Sequence, residues 1–126
     1  MRFLPTQEWA SEVCKRLINI EAPQELSITA TEAPQEVGGE VTLLFRFEAG
    51  RCVEAKLLRG RFYATYALSA RYDDLLKILE GRLSPFAAVP LGKLKVERGS
   101  LGELAEYMPL ALEIVEAARD VAKLLK

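Results

Sequence analysis

The chain has 126 residues, of which 50% are hydrophobic and 28% are charged, and its formal net charge at pH 7 is −1. This length suits a single domain over residues 1–126, and the composition excludes a chain that is disordered throughout. The near-neutral charge gives no electrostatic reason to expect a nucleic acid partner.

No apolar segment of the sequence approaches the ~18 residues that a membrane span needs, so we predict no transmembrane segment. The first residues, MRFLPTQEW, lack the apolar run of a signal peptide, and we predict a cytoplasmic location. The two cysteines, Cys14 and Cys52, could form a disulfide. Isolated cysteines without a secretory signal are more often free thiols in a reducing compartment, and we expect them to be small buried hydrophobes.

The first predicted element is a helix that begins after Thr6, whose hydroxyl can cap it. Apolar residues at helical spacing, including Trp9 and Ile20, predict one buried face with Trp9 as a core anchor. The helix should end near Glu21, because Pro23 biases the residue before it away from helical geometry.

Alternation of apolar and polar residues predicts five half-buried strands. They cover residues 26–31, 41–48, 53–57, 62–69 and 92–96. Turn signals at Ala49-Gly50-Arg51 and at Gly60 separate the second, third and fourth of these strands. The pattern predicts antiparallel neighbours along the chain, in an open meander with one face left to cover.

A helix is predicted over residues 71–80, and Gly81 stands where it should end. Ser84 is placed to cap a short helix that begins at Pro85, since proline has no amide hydrogen to lose at that position. Phe86 is presented on this turn.

After the last strand, Ser100 and Glu103 fit a capping box, and Pro109 breaks or restarts the helix that follows. The final stretch is apolar over more than one stripe of its circumference. Its apolar residues are Leu110, Ala111, Leu112, Ile114, Val115, Ala117, Ala118, Val121, Ala122, Leu124 and Leu125. Such a helix needs two surfaces to bury against, for example the core and either a ligand or a second subunit, so a homodimer through this helix is one expectation.

The sequence contains no histidine, the commonest general base and metal ligand. Two separated cysteines cannot make a tetrahedral zinc site alone. The adjacent Asp73 and Asp74 point about 100° apart on a helix, so they do not converge. We therefore expect no catalytic residues, no metal and no cofactor, and we predict that the protein is not an enzyme.

One segment of the sequence resembles a known family. Gly81, Pro85 and Ala88, followed by Gly92-Lys93-Leu94-Lys95-Val96, look like the signature of the sterol carrier protein type two domain. The resemblance implies an α+β fold, in which one face of a five-stranded, mostly antiparallel sheet is covered by helices. It also implies an apolar tunnel between the sheet and the C-terminal helices.

A pocket for a lipid needs mostly aliphatic and aromatic walls. The candidate ligand contacts are Phe45, Phe47, Ala64, Tyr66, Leu83, Phe86, Leu101, Leu104, Tyr107, Met108, Leu112 and Val115. Ordinary core packing is the alternative for each of them. Met108 and the hinge around it, up to Pro109, are the preferred candidates, because methionine adapts to irregular ligands and a proline break lets the terminal helix swing.

The first functional hypothesis is non-enzymatic binding or carriage of a hydrophobic ligand in this tunnel: a fatty acid, an acyl-coenzyme A, a sterol or another lipid. The alternative is a protein-interaction or dimerisation module that is accessory to a lipid-metabolising enzyme. The two hypotheses differ in an observable property, because a carrier retains or takes up lipid whereas a module associates with itself or with a partner.

Overall fold

The computed structural model describes residues 6–124, with the backbone alone for Val37 and Leu124. The predicted apolar residue Leu125 lies outside the described residues. The elements are, in chain order, α1 (Gln7–Lys15), β1 (Glu25–Thr31), a short 3-10 turn (Gln35–Val37), β2 (Val41–Glu48), β3 (Arg51–Arg59), β4 (Tyr66–Arg71), α2 (Tyr72–Leu79), α3 (Pro85–Ala88), β5 (Lys95–Arg98), α4 (Leu101–Glu106) and α5 (Met108–Leu124).

The strands form one mixed sheet in the order β3-β2-β1-β4-β5. β1 pairs parallel with β4, and the other neighbouring pairs are antiparallel. Side chains of α1, α2 and α5 share one hydrophobic core with the inner face of the sheet. The predicted α+β fold, a five-stranded and mostly antiparallel sheet with one face covered by helices, is confirmed.

The connection between β3 and β4 differs from the predicted meander, because β4 pairs with β1 and not with β3. Residues 60–65, predicted in part as a strand, instead cross the face of the sheet opposite to the helices. The Phe62 N–H donates to the Thr42 hydroxyl at 3.2 Å, and the Ala64 N–H donates to the Ser27 hydroxyl at 3.0 Å. The parallel pairing requires this crossing, since β4 must start at the same end of the sheet as β1.

A buried hydroxyl network holds the crossing segment on the sheet. Thr29 and Thr42 are fully buried, and their hydroxyl oxygens are 2.9 Å apart. The Thr42 hydroxyl donates to the Gly60 carbonyl oxygen at 2.8 Å. Since a hydroxyl has one hydrogen, Thr42 must accept from both the Thr29 hydroxyl and the Phe62 N–H.

Thr42→Val is expected to lower the free energy of unfolding by about 2–3 kcal/mol. The substitution keeps the shape of the side chain but leaves the Phe62 N–H and the Thr29 hydroxyl without this partner. Chemical denaturation followed by circular dichroism measures the change. The control is Thr65→Val, at an exposed position of the same connection, which should cost less than about 0.5 kcal/mol. Equal losses in the free energy of unfolding for the two variants would contradict a stabilising role of the hydroxyl network.

The predicted helix boundaries are confirmed at three starts and wrong at one end. Thr6, Ser84 and Ser100 cap α1, α3 and α4, and each hydroxyl accepts a backbone N–H. α4 and α5 are separated by Tyr107 alone, and Pro109 is the second residue of α5, where a break or restart was expected.

α1 ends at Lys15 rather than near Glu21. Beyond its end, the Leu17 carbonyl accepts a hydrogen bond from the Cys52 N–H at 2.8 Å. The chain after α1 therefore pairs with the β2–β3 hairpin, so its backbone groups are not available to extend the helix.

α1 packs against β3, which is an edge strand. The side-chain amide of Gln7 pairs with this edge, because it donates to the Ala55 carbonyl at 2.8 Å and accepts from the Leu57 N–H at 2.9 Å. Cys14 and Cys52 form a disulfide across the same contact, with their Cα atoms 5.3 Å apart. The expectation of free thiols is wrong, because folding brings together two residues that are 38 positions apart in sequence.

α5 packs against α1 and α2. Much of its wide apolar surface is buried within the protein, including Leu110, Ile114, Ala118 and Val121, whereas Leu112 is 53% exposed. A homodimer through this helix stays a prediction. Among the residues described, none of the helices is both long enough and apolar enough to cross a membrane.

Candidate ligand-binding site

A cavity of about 60 Å³ lies between the sheet and the helices. Its walls come from β1, β4, α2, α4 and α5, with Pro85 at the start of α3 and with Pro23 and Leu94 from connecting segments. Every lining side chain is apolar apart from the phenol hydroxyls of two tyrosines. Typical small-molecule sites have about 300–1000 Å³, so side chains occupy much of the space that a ligand would take. A continuous tunnel stays a prediction.

Some of the predicted ligand contacts line this cavity: Tyr66, Leu104, Tyr107 and Val115. They come from β4, α4, the residue between α4 and α5, and α5. The structure brings them together because the C-terminal helices fold back over the start of β4, where the Tyr66 and Tyr107 rings are in contact.

The other predicted contacts lie outside the cavity lining. Phe45, Phe47, Ala64 and Met108 are buried, Leu83 is half-buried, and Phe86, Leu101 and Leu112 are exposed. The Phe45 and Phe47 rings pack against each other with centroids 6.1 Å apart. Both belong to β2, whereas the strands beneath the cavity are β1 and β4.

Several lining residues were not among the predicted contacts. They are Leu26, Ile28, Leu68, Leu75, Ile78, Leu79, Leu110, Ala111 and Ile114, together with the three residues Pro23, Pro85 and Leu94. The apolar faces of β1 and α2 were a usable signal, because both patterns identify side chains that point inward. What the patterns did not indicate is that β1 lies beside β4, under the C-terminal helices.

Tyr66 and Tyr107 form the polar part of the lining. Their rings meet edge to face, with centroids 5.5 Å apart and planes at 80°. Tyr66 is only 2% exposed, and its hydroxyl donates to the Ser100 carbonyl at 3.3 Å. Gly99 lies against the Tyr66 ring on the β5 side. The ring is thus held by backbone on one side and by Tyr107 on another.

Loss of stability at alkaline pH is expected from Tyr66. Burial, and then the negative charge of Glu103, raises the pKa of Tyr66 to about 12 from its usual 10.0. The neutral phenol is favoured in the folded protein, so its stabilising contribution is complete below pH 10 and is lost as the pH rises towards about 12. Chemical denaturation at a series of pH values measures this loss. In Tyr66→Phe, the free energy of unfolding should fall less steeply between pH 10 and about 12. An identical pH profile for this variant would contradict the assignment.

Among the described residues, the side chains that line the cavity carry no formal charge. In the part of the chain that the structure describes, no group of three or more His, Cys, Asp and Glu side chains could hold a metal ion. Ion pairs such as Arg61–Glu40 and Arg71–Glu32, at 2.6 and 2.7 Å, are exposed and lie outside the lining. The arrangement can therefore enclose an apolar group, with two phenols as its polar contacts.

Comparison with known proteins found similar structures but neither a matching protein-family model nor a matching curated protein. A crystal structure of sterol carrier protein 2 is 28% identical, with a TM-score of 0.78, and the match covers 90% of this chain and 95% of that one. A second match is the solution structure of a conserved hypothetical protein from Thermus thermophilus, described as possibly a sterol carrier protein. It is 27% identical, with a TM-score of 0.80, and the match covers 94% of this chain and 90% of that one.

A part of a larger enzyme has a similar fold. The sec-alkylsulfatase Pisa1 from Pseudomonas sp. matches with 17% identity and a TM-score of 0.55, over 85% of this chain and 16% of that one. At this identity the likeness concerns the fold alone.

Proposed function

Because the chain is a sterol carrier protein 2-like domain, we propose that it binds or carries a hydrophobic molecule in the cavity between its sheet and its helices, without catalysing a reaction. The observation that supports this most directly is the lining of the cavity, which is aliphatic or aromatic throughout. Burial of a hydrocarbon chain against such walls contributes about 0.8 kcal/mol per methylene, which is enough for useful affinity.

The cavity must widen to admit a lipid, and the C-terminal helices are the elements that can move. α4, α5 and the residue between them supply Leu104, Tyr107, Leu110, Ala111, Ile114 and Val115 to the lining. The break before Pro109 allows α5 to change its angle to α4. Displacement of these two helices would extend the cavity into the tunnel that the family resemblance implies, with Tyr66, Leu104, Tyr107 and Val115 as ligand contacts.

The polar end of the ligand is uncharged in this proposal. Burial raises the pKa of Tyr107, and the carboxylates of Glu103, Glu106 and Glu21 raise it further. The negative potential at this phenol disfavours an anionic headgroup. A straight-chain alcohol should therefore bind more tightly than the ionised fatty acid of the same length by up to about fivefold, the scale of one solvent-exposed charge interaction.

Competition against a fluorescent lipid probe measures this preference. Glu106→Gln should reduce the difference in affinity between the alcohol and the acid. Glu116→Gln, at an exposed position of α5 that does not act on Tyr107, should leave it unchanged. Tighter binding of the acid in the wild type would contradict an uncharged headgroup.

Native mass spectrometry of the purified protein, followed by organic extraction, tests the proposed function. A stoichiometric lipid mass, or uptake of an added lipid, is the expected result. A clean protein mass without uptake of any lipid would overturn the proposal. The interaction-module alternative has less support, since α5 buries much of its apolar surface within the protein. Homodimerisation and the cytoplasmic location remain proposals from the sequence.

A further inference from the structure

A second cavity of about 40 Å³ lies behind the first, between α1, α2, α5 and strands β1 to β3. Its walls include Ala30, Val41, Leu43 and Leu57, and they are apolar or aromatic throughout. An apolar cavity of this kind does not hold water well and is suited to hydrocarbon.

The two cavities share one partition. Ile28, Leu75, Leu79 and Ile114 line both of them. Ile28 lies in the middle strand of the sheet, yet it is only half-buried, whereas its inward-facing neighbours Leu26 and Ala30 are 4% and 2% exposed. The greater exposure of Ile28 is expected for a side chain that has a cavity on each side.

The partition has a rigid half and a movable half. Ile28 and Ile114 are β-branched, so their first side-chain torsion is restricted. Leu75 and Leu79 are one turn apart on the same face of α2, and both are half-buried. Their side chains can change rotamer into the adjoining space without displacing the backbone.

We propose that the two cavities form one bipartite site for a ligand with a long, unbranched hydrocarbon chain. The chain passes the side chains of Leu75 and Leu79, and its end occupies the second cavity. A fused ring system is rigid and wider than a methylene chain, so it cannot pass the partition into the second cavity. This inference rests on the proposed function and adds to it the shape of the ligand.

A homologous series of straight-chain primary alcohols, with cholesterol as the rigid probe, tests the inference. In the wild type, affinity should rise by about fourfold per methylene and continue to rise beyond the length that fills the first cavity. Ala30→Val adds two carbons to a wall of the second cavity alone. Short alcohols should bind this variant as they bind the wild type, which also shows that the variant folds, whereas the longest should bind about tenfold more weakly.

The matched control is Ala70→Val, since Ala70 is the β4 neighbour of Ala30 in the sheet, is also buried, and lines neither cavity. It should leave the length dependence unchanged. A second variant acts in the opposite direction. Leu57→Ala enlarges the second cavity, so the alcohol that binds most tightly should be longer than in the wild type. Its control is Leu58→Ala, at the neighbouring half-buried position.

The outcomes separate this inference from the proposed function. Alcohols that bind but respond identically to Ala30→Val and Ala70→Val would overturn the bipartite site and leave the carrier function standing. Cholesterol binding as tight as that of the longest alcohol would also overturn it. Absence of binding by every alcohol and by cholesterol would overturn the proposed function and the bipartite site together.

Discussion

Reduction of the Cys14–Cys52 disulfide should lower the free energy of unfolding by about 4 kcal/mol, because it releases a loop of 38 residues in the unfolded chain. The bond joins α1 to the edge strand β3, and α1 supplies Trp9 and Val13 to the core. α1 is a short helix, which would be marginal in isolation, so its docking depends on tertiary contacts and on this covalent link.

Chemical denaturation with and without a dithiol reductant measures the effect. The double variant Cys14→Ala/Cys52→Ala should resemble the reduced protein and should not respond to the reductant. Alkylation of the native protein followed by mass measurement tests the bond directly. Two alkylated thiols without prior reduction, together with an unchanged unfolding midpoint, would contradict the disulfide.

Local chemistry was sufficient to predict most of the elements. β2 was predicted over residues 41–48, which are its bounds in the structure, and the starts after Ser84 and Ser100 follow from hydroxyl caps that act within one helical turn. α1 was predicted too long, because its end is decided by a hydrogen bond from Cys52, far along the chain. Features set by neighbours in sequence were predictable, and features set by tertiary pairing were not.

The lining of the candidate site was predicted less completely for the same reason. Alternation indicates which residues of a strand share a face, but it does not indicate which strands are neighbours. Phe45 and Phe47 point inward as expected, yet they belong to β2, and the cavity lies over β1 and β4. Only the parallel pairing of β1 with β4, which the predicted meander lacked, places Ile28 beside Leu68 under the C-terminal helices.

Gly99→Ala is expected to lower the free energy of unfolding by about 3 kcal/mol or more, from overpacking and from backbone strain together. The backbone of Gly99 has a φ of +97°, which an alanine adopts only with strain. A Cβ at this position would lie 2.6 Å from Cε2 of Tyr66, whose ring is buried and in contact with Tyr107. The ring cannot retreat without disturbing the cavity lining, so lipid binding should weaken as well.

Gly92→Ala separates the two contributions, because Gly92 also has a positive φ of +73° but nothing lies within 4 Å of the added Cβ. This control should cost only the backbone strain, about 1–2 kcal/mol, and should leave lipid binding unchanged. Tyr66→Leu in the Gly99→Ala background should recover part of the lost stability, because it removes the ring that the Cβ meets. Equal losses of stability for the two glycine variants, without rescue by Tyr66→Leu, would show that the backbone of Gly99 does not position Tyr66 at the candidate ligand site.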